Sequence, residues 1–138
     1  MRNVLLAASL LFGGATLGIG GAALADPAYN LKIDAPPAKK AQKGVVKIHI
    51  APGAGFHVNK DYPTNLSVVA PAGATVDKPK QGAKDAIKFA EEGADFDVAY
   101  TCNEAGKQTF TGELKFAVCS ASSCDPKKEK LSFTVDVK

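Results

Sequence analysis

Apolar and polar residues alternate most regularly in the C-terminal stretch from Gly112 to Lys138. A period of two residues is typical of a strand with one face in the core and the other in solvent. The pattern predicts a hairpin, with Cys119 and Cys124 where its first strand gives way to the turn. The apolar positions of its two strands are Leu114, Phe116 and Val118, then Leu131, Phe133, Val135 and Val137.

Shorter alternating runs recur along the rest of the chain. They predict strands at 29–33, 43–50, 56–59, 66–70, 86–90 and 96–102, separated by residues that favour turns. The segment from Thr75 to Lys84 has no apolar period and is predicted to be a polar loop. About eight short strands without an amphipathic helix are typical of an all-β protein, here an immunoglobulin-like antiparallel β-sandwich.

Residues 1–25 are predicted to form a secretory signal peptide. Arg2 supplies the positive charge, residues 4–24 are uncharged, and Ala23-Leu24-Ala25 matches an A-x-A cleavage site. An uncleaved membrane anchor is the alternative, because the uncharged stretch is nearly long enough to span a bilayer. We expect residues 26–138 to form one domain in the periplasm or outside the cell, with no membrane segment after the signal is removed.

The charge pattern argues against nucleic-acid binding. Arg2 is the single arginine, so residues 26–138 hold 16 lysines against 14 acidic residues, a net charge of +2. The lysines are spread along the chain, and no guanidinium fork is present for phosphates or base edges.

The chain contains three cysteines, so at least one is unpaired or pairs with another molecule. The parity of Cys102 matches Phe96, Val98 and Tyr100, which predicts a buried free thiol. An intermolecular disulfide or a zinc ligand is the alternative. A tight turn at 103–106 would place Cys102 opposite Lys107 or Gln108.

Cys119 and Cys124 differ from Cys102, because the parity of Cys119 places it on the outward face. A bond between them would close a short ring that stabilises the fold by roughly 2 kcal/mol in the loop-closure model. An exposed ring of this kind contributes little to the stability of the fold and is accessible to an attacking thiolate. Three nearby lysines could lower the pKa of a thiol, although such residues are commonly solvated: Lys127, Lys128 and Lys130.

Metal and hydrolytic chemistry find little support in the sequence. His49 and His57 are not spaced as ligands with either cysteine of the hairpin, and residues 26–138 contain no methionine. No nucleophile elbow is present. We therefore expect no metal and no cofactor, and a metal carrier is the least favoured class.

Two segments together resemble a known family. They are Gly55-Phe56-His57-Val58-Asn59 with Tyr62-Pro63, and the stretch from Gly112 through Phe116-Ala117-Val118-Cys119 to Cys124 and Pro126. Both resemble the amino-terminal periplasmic domain of DsbD-type thiol:disulfide interchange proteins, over roughly residues 45–137.

The resemblance implies an immunoglobulin-like domain in which Cys119 and Cys124 form the redox pair. The implied partners are a membrane electron-carrier protein and thioredoxin-like extracytoplasmic proteins. In the enterobacterial form an aromatic-bearing cap loop shields the cysteines. The corresponding loop here, about Asp77 to Asp85, contains no aromatic residue, and the spacing of the cysteines is one residue shorter.

Two functions therefore follow from the sequence. The first is an exported thiol–disulfide exchange module that passes reducing equivalents through Cys119 and Cys124, an oxidoreductase activity. The alternative is a non-catalytic β-sandwich interaction module in which the same two residues form a structural disulfide.

Overall fold

The computed structural model of the protein describes residues 27–138, so the predicted signal peptide lies outside the described residues. This part of the chain is almost entirely β-structure, with one 3-10 turn at Ala83–Asp85. No helix within it is long and apolar enough to cross a membrane. Its strands are β1 (Tyr29–Asp34), β2 (Lys43–Pro52), β3 (His57–Val58), β4 (Asn65–Val69), β5 (Ala74–Val76), β6 (Lys80–Gly82), β7 (Lys88–Ala90), β8 (Gly93–Cys102), β9 (Gly106–Cys119) and β10 (Cys124–Val137).

The strands form two antiparallel sheets, which confirms the predicted immunoglobulin-like β-sandwich. The first sheet has the order β1-β2-β8-β5, and β7 also pairs with β8. The second sheet has the order β10-β9-β4-β6, and β3 also pairs with β9. Because β9 contacts β10, β4 and β3, it is the strand around which the second sheet is assembled.

The core lies between the two sheets and is built from the alternating positions of the long strands. Each fully buried aliphatic or aromatic side chain stabilises the fold by about 1.5–3 kcal/mol relative to an exposed one. Phe110 of β9 lies between Tyr100 and Phe133, with ring centroids 5.1 and 5.3 Å apart. The largest fully buried side chains include Phe96, Phe116, Ile48, Ile50, Leu66 and Leu114.

The predicted C-terminal hairpin is confirmed and is the longest feature of the fold. Fourteen residue pairs join β9 to β10, from Cys124 opposite Cys119 to Val137 opposite Gly106. Residues Leu131, Phe133, Val135 and Val137 are buried, whereas the residues between them are exposed. The sequence pattern therefore predicted both the strands and the face that each presents to the core.

The prediction of a polar loop from Thr75 to Lys84 was wrong. This segment contains β6 and most of β5, each only three residues long. Gln81 is buried, and its side-chain amide donates a hydrogen bond to the carbonyl of Asp97 in the opposite sheet. Three residues are too few to show an apolar period, and in β6 a polar side chain, Gln81, occupies the inward position where a hydrophobic residue is expected.

Cys102 is a buried free thiol, as predicted. Its predicted position opposite Lys107 or Gln108 was wrong, because β8 and β9 belong to different sheets and residues 103–106 cross between them. Cys102 instead lies opposite Ala74 of β5. The turn residues fit a hairpin and a sheet-to-sheet connection equally well, so local sequence did not distinguish them.

Tyr100 places a hydroxyl in the core without a hydrogen-bond partner among the described residues. Gly44 leaves the space that the ring occupies, since a Cβ at this glycine would lie 2.5 Å from the Tyr100 hydroxyl oxygen. Burial raises the pKa of the Tyr100 hydroxyl above its ordinary value, and nearby Cys102 raises it further. Burial also raises the pKa of the Cys102 thiol.

We predict that Tyr100→Phe raises the free energy of unfolding by about 1 kcal/mol at neutral pH, because a buried hydroxyl without a partner costs free energy. Because the pKa of Tyr100 is raised in the folded state, the unfolded state loses the phenolic proton at lower pH than the folded state does. The stability of the wild type is therefore unaffected by this ionisation below about pH 10 and falls as the pH rises further. The wild type should therefore lose stability more steeply than the variant above pH 10.

Urea unfolding as a function of pH measures both effects. Tyr29→Phe is the matched control, because that ring is only half-buried and packs edge-on against Phe116. A Tyr100→Phe variant less stable than the wild type by 1 kcal/mol or more would show that the hydroxyl has a partner.

Candidate functional site

Cys119 and Cys124 form a disulfide, which confirms the predicted pairing. The two residues are directly opposite in the β9–β10 ladder, with their Cα atoms 4.0 Å apart. The turn between them has hydrogen bonds of its own: the backbone NH of Ser120 donates to the carbonyl of Ser123, and the Ser120 hydroxyl accepts from the backbone NH of Ser123. The disulfide therefore joins positions that the backbone already holds together.

The exposure of the two cysteines differs. Cys124 is exposed on β10, whereas Cys119 is only 4% exposed. The predicted outward parity of Cys119 agrees with its place outside the core cluster, but the prediction of an exposed residue was wrong. Strand β3 pairs with β9 on the side away from β10, so Cys119 has a directly opposed neighbour on both sides within the sheet, His57 of β3 and Cys124 of β10.

His57 lies next to the disulfide in the sheet. It is opposite Cys119 in the β3–β9 pairing, just as Cys124 is opposite Cys119 in the β9–β10 pairing. Directly opposed residues project from the same face of a sheet, so the three residues form one row across the strands. Sequence reasoning missed this row, because His57 is far from both cysteines in the chain and β3 is only two residues long.

The lysines of β10 do not flank the disulfide. Lys127 shares its parity with the core positions of β10 and forms an ion pair with Asp125. Lys128 is on the same face as Cys124 but four residues along the strand, roughly 13 Å away, and pairs with Glu113. Lys130 lies further along β10. The structure therefore places His57, and none of these lysines, beside the cysteines.

Residues 77–85, where the resemblance predicts a cap loop, do not cover the disulfide. Residues 77–85 include β6, which runs along β4 from Asn65 to Ser67. Asn65 is in turn opposite Lys115, four residues and roughly 13 Å along β9 from Cys119. The residue next to the disulfide in the sheet comes instead from β3, where His57 is opposite Cys119.

His49, the other histidine, lies on the outer face of the first sheet, where its Nδ1 contacts the Asp95 carboxylate. It is thus on the opposite side of the sandwich from His57. Among residues 27–138, no three His, Cys, Asp or Glu side chains are arranged to hold a metal ion.

No family model and no curated protein matches the chain. Two solved structures are similar in backbone path. One is AggA, the major subunit of aggregative adherence fimbriae type I from Escherichia coli, with a TM-score of 0.43 and 8% identity over 85% of this chain and 98% of that chain. The other comprises domains 4 and 5 of the S-layer protein SbsC, with a TM-score of 0.41 and 13% identity over 82% of this chain and 46% of that chain.

Proposed function

We propose that the chain is an exported β-sandwich interaction module whose Cys119–Cys124 disulfide fastens the end of the last hairpin. The observation that carries this proposal is the position of the bond: it joins opposed residues of a ladder of fourteen pairs, and one of its two cysteines is buried. A bond in this place keeps the end of the hairpin from fraying and preserves the outer face of the second sheet. Stable disulfides are typical of extracytoplasmic proteins, which supports export.

A second function, thiol–disulfide exchange, is supported by the exposure of Cys124. In this proposal a partner thiolate attacks the Cys124 sulfur, and the bond to Cys119 breaks. The bonding electron pair goes to the Cys119 sulfur, which becomes a thiolate, and the partner stays attached to Cys124 through a mixed disulfide. A second thiolate of the same partner then attacks the partner's sulfur of that disulfide and releases Cys124 as a thiolate. The products are the reduced Cys119–Cys124 pair and an oxidised partner dithiol. The family resemblance also supports this reaction.

The interaction-module proposal predicts that the double variant Cys119→Ser, Cys124→Ser stays folded and loses at most about 2 kcal/mol of its free energy of unfolding, because the ring is short and the strands are already paired. Urea unfolding measures the loss. The same proposal predicts a reduction potential below about −300 mV for the wild-type disulfide, measured in redox buffers. A potential near −200 mV, in the range of exchange proteins, would contradict a purely structural bond.

The exchange proposal predicts which single variant traps a partner. Cys119→Ser leaves the exposed Cys124 thiolate free, so it should attack a thioredoxin-like protein whose single active cysteine carries thionitrobenzoate as a mixed disulfide. Thionitrobenzoate leaves as a thiolate, and the disulfide between Cys124 and the partner should accumulate because no second cysteine is present to resolve it. Cys124→Ser is the matched control, because the remaining Cys119 is buried and should react at least tenfold more slowly. Non-reducing gels detect the adduct. Equal trapping by both variants would show that burial of Cys119 does not direct the attack.

The row of three residues predicts an influence of His57 on the reduced protein. A protonated imidazole beside a thiol favours the thiolate, so His57→Gln should lower the thiolate fraction at neutral pH by up to about tenfold. Ultraviolet absorbance of the thiolate during a pH titration measures this fraction. His49→Gln is the matched control on the other sheet and should leave the titration unchanged. Identical titrations of the two variants would show that His57 does not influence the thiolate fraction of the reduced cysteines.

A further inference from the structure

The two outer faces of the sandwich differ in charge, although the whole domain is nearly neutral. On the first sheet most charges pair with one another: Lys47 with Asp97, His49 with Asp95, and Lys43 with Asp77. Lys32 forms no ion pair with a described residue, and Asp34 on the same face of β1 offsets its charge. The outer face of the first sheet is therefore electrostatically balanced.

The outer face of the second sheet carries an excess of lysines. Glu113 is the acidic residue at its centre and is shared by two of them, Lys115 at 3.6 Å and Lys128 at 3.4 Å. Lys80 and Lys130 also lie on this face, and neither forms an ion pair with a described residue. We call Lys80, Lys115, Lys128 and Lys130 the lysine face.

A shallow groove lies at the β6 end of the lysine face, between β4, β6 and β9. Asn65 and Ser67 supply uncharged hydrogen-bonding groups along it, and Lys84 extends its positive charge beyond β6. The nearby Asp85 carboxylate is already engaged, because it accepts from the backbone NH of Gly82 and pairs with Lys78 at 2.6 Å. The groove thus combines two lysines without an ion pair to a described residue, Lys80 and Lys84, with neutral polar groups and with the Lys115–Glu113 pair.

The register fixes the spacing of the unpaired lysines. Lys80 is opposite Ser67, Ser67 is opposite Glu113, and Glu113 is opposite Lys130, so these four residues form one row across β6, β4, β9 and β10. Neighbouring strands are about 4.8 Å apart, which places the backbones of Lys80 and Lys130 roughly 14 Å apart. An extended peptide covers this distance in about four residues.

From this geometry we propose that the lysine face binds an extended acidic segment of a partner protein, with acidic residues at positions i and i+4. The two carboxylates pair with Lys80 and Lys130, and the side chain at i+2 lies between Ser67 and Glu113, where a neutral hydrogen-bonding residue fits and a carboxylate is repelled. The groove, together with the separation of Lys80 and Lys130, favours an extended peptide over a flat lipid surface. This inference rests on the proposed interaction module and names the class of its partner.

The test uses the oxidised domain, residues 26–138, and a blocked peptide in a Ser/Thr background that carries two glutamates four positions apart. We expect Lys80→Gln with Lys130→Gln to weaken binding about fivefold, as measured by calorimetry at low salt, because each exposed ion pair contributes modestly. Lys32→Gln with Lys40→Gln is the control with the same change in charge, since both lysines are exposed and away from the face.

A peptide with adjacent glutamates should bind more weakly, and Glu113→Gln should bind the original peptide more tightly.

Equal weakening by the two double variants, or equal affinity for the two peptides, would overturn the proposal. Binding to anionic phospholipid vesicles with none to the peptide would assign the face to a membrane and overturn it as well. Amide chemical shifts of the wild type give a second measurement, and changes confined to Ser67, Glu113 and their neighbours are expected. Because the disulfide is intact throughout, failure of this test is separate from failure of the structural-disulfide proposal, which its reduction potential decides.

Discussion

The pairing of β9 with its neighbours is the interaction on which the rest of the structure depends. This strand makes fourteen residue pairs with β10, five with β4 and two with β3, and it contributes Phe110, Leu114 and Phe116 to the core. The same strand positions Cys119, Glu113 and Lys115 on its other face. A single strand thus couples the stability of the sandwich to the arrangement of both candidate sites, and changes to its inward positions would disturb the outward ones.

Much of the fold could be predicted from the sequence because the long strands alternate strictly. The hairpin, the buried Cys102 and the Cys119–Cys124 pairing follow from parity and spacing alone. The burial of Cys119 could not be predicted, since it depends on β3: a strand was predicted at 56–59, but the sequence does not show that it pairs with β9 beside Cys119. Parity tells which face of a sheet a residue occupies, whereas exposure depends on which segments lie against it. The row of His57 with the two cysteines was missed for the same reason, and β6 was missed because its three residues show no apolar period.

Overall charge was similarly uninformative about the surface. A net charge of +2 for residues 26–138 describes a nearly neutral domain, but strand register separates the charges into a balanced face and a lysine face. Strand register underlies this separation, because it sets which charged residues are directly opposed or diagonal neighbours on each face. Lys47 is opposite Asp97, whereas Lys115 lies between Asn65 and Lys128. Both candidate sites lie on one surface, since the row of His57, Cys119 and Cys124 and the lysine face are both on the outside of the second sheet.

The position of β10 at the margin of its sheet has a consequence for assembly. From Cys124 to Val135, its backbone has no hydrogen-bonding strand on the side away from β9 within the described residues. An open margin of this length invites pairing with another chain and, in turn, aggregation. Pro126 lacks the NH that such pairing needs, and Lys128 and Lys130 would meet like charges in a neighbouring copy. Proline and lysine at an open edge disfavour such pairing, which places a constraint on the sequence of β10 that is independent of any partner.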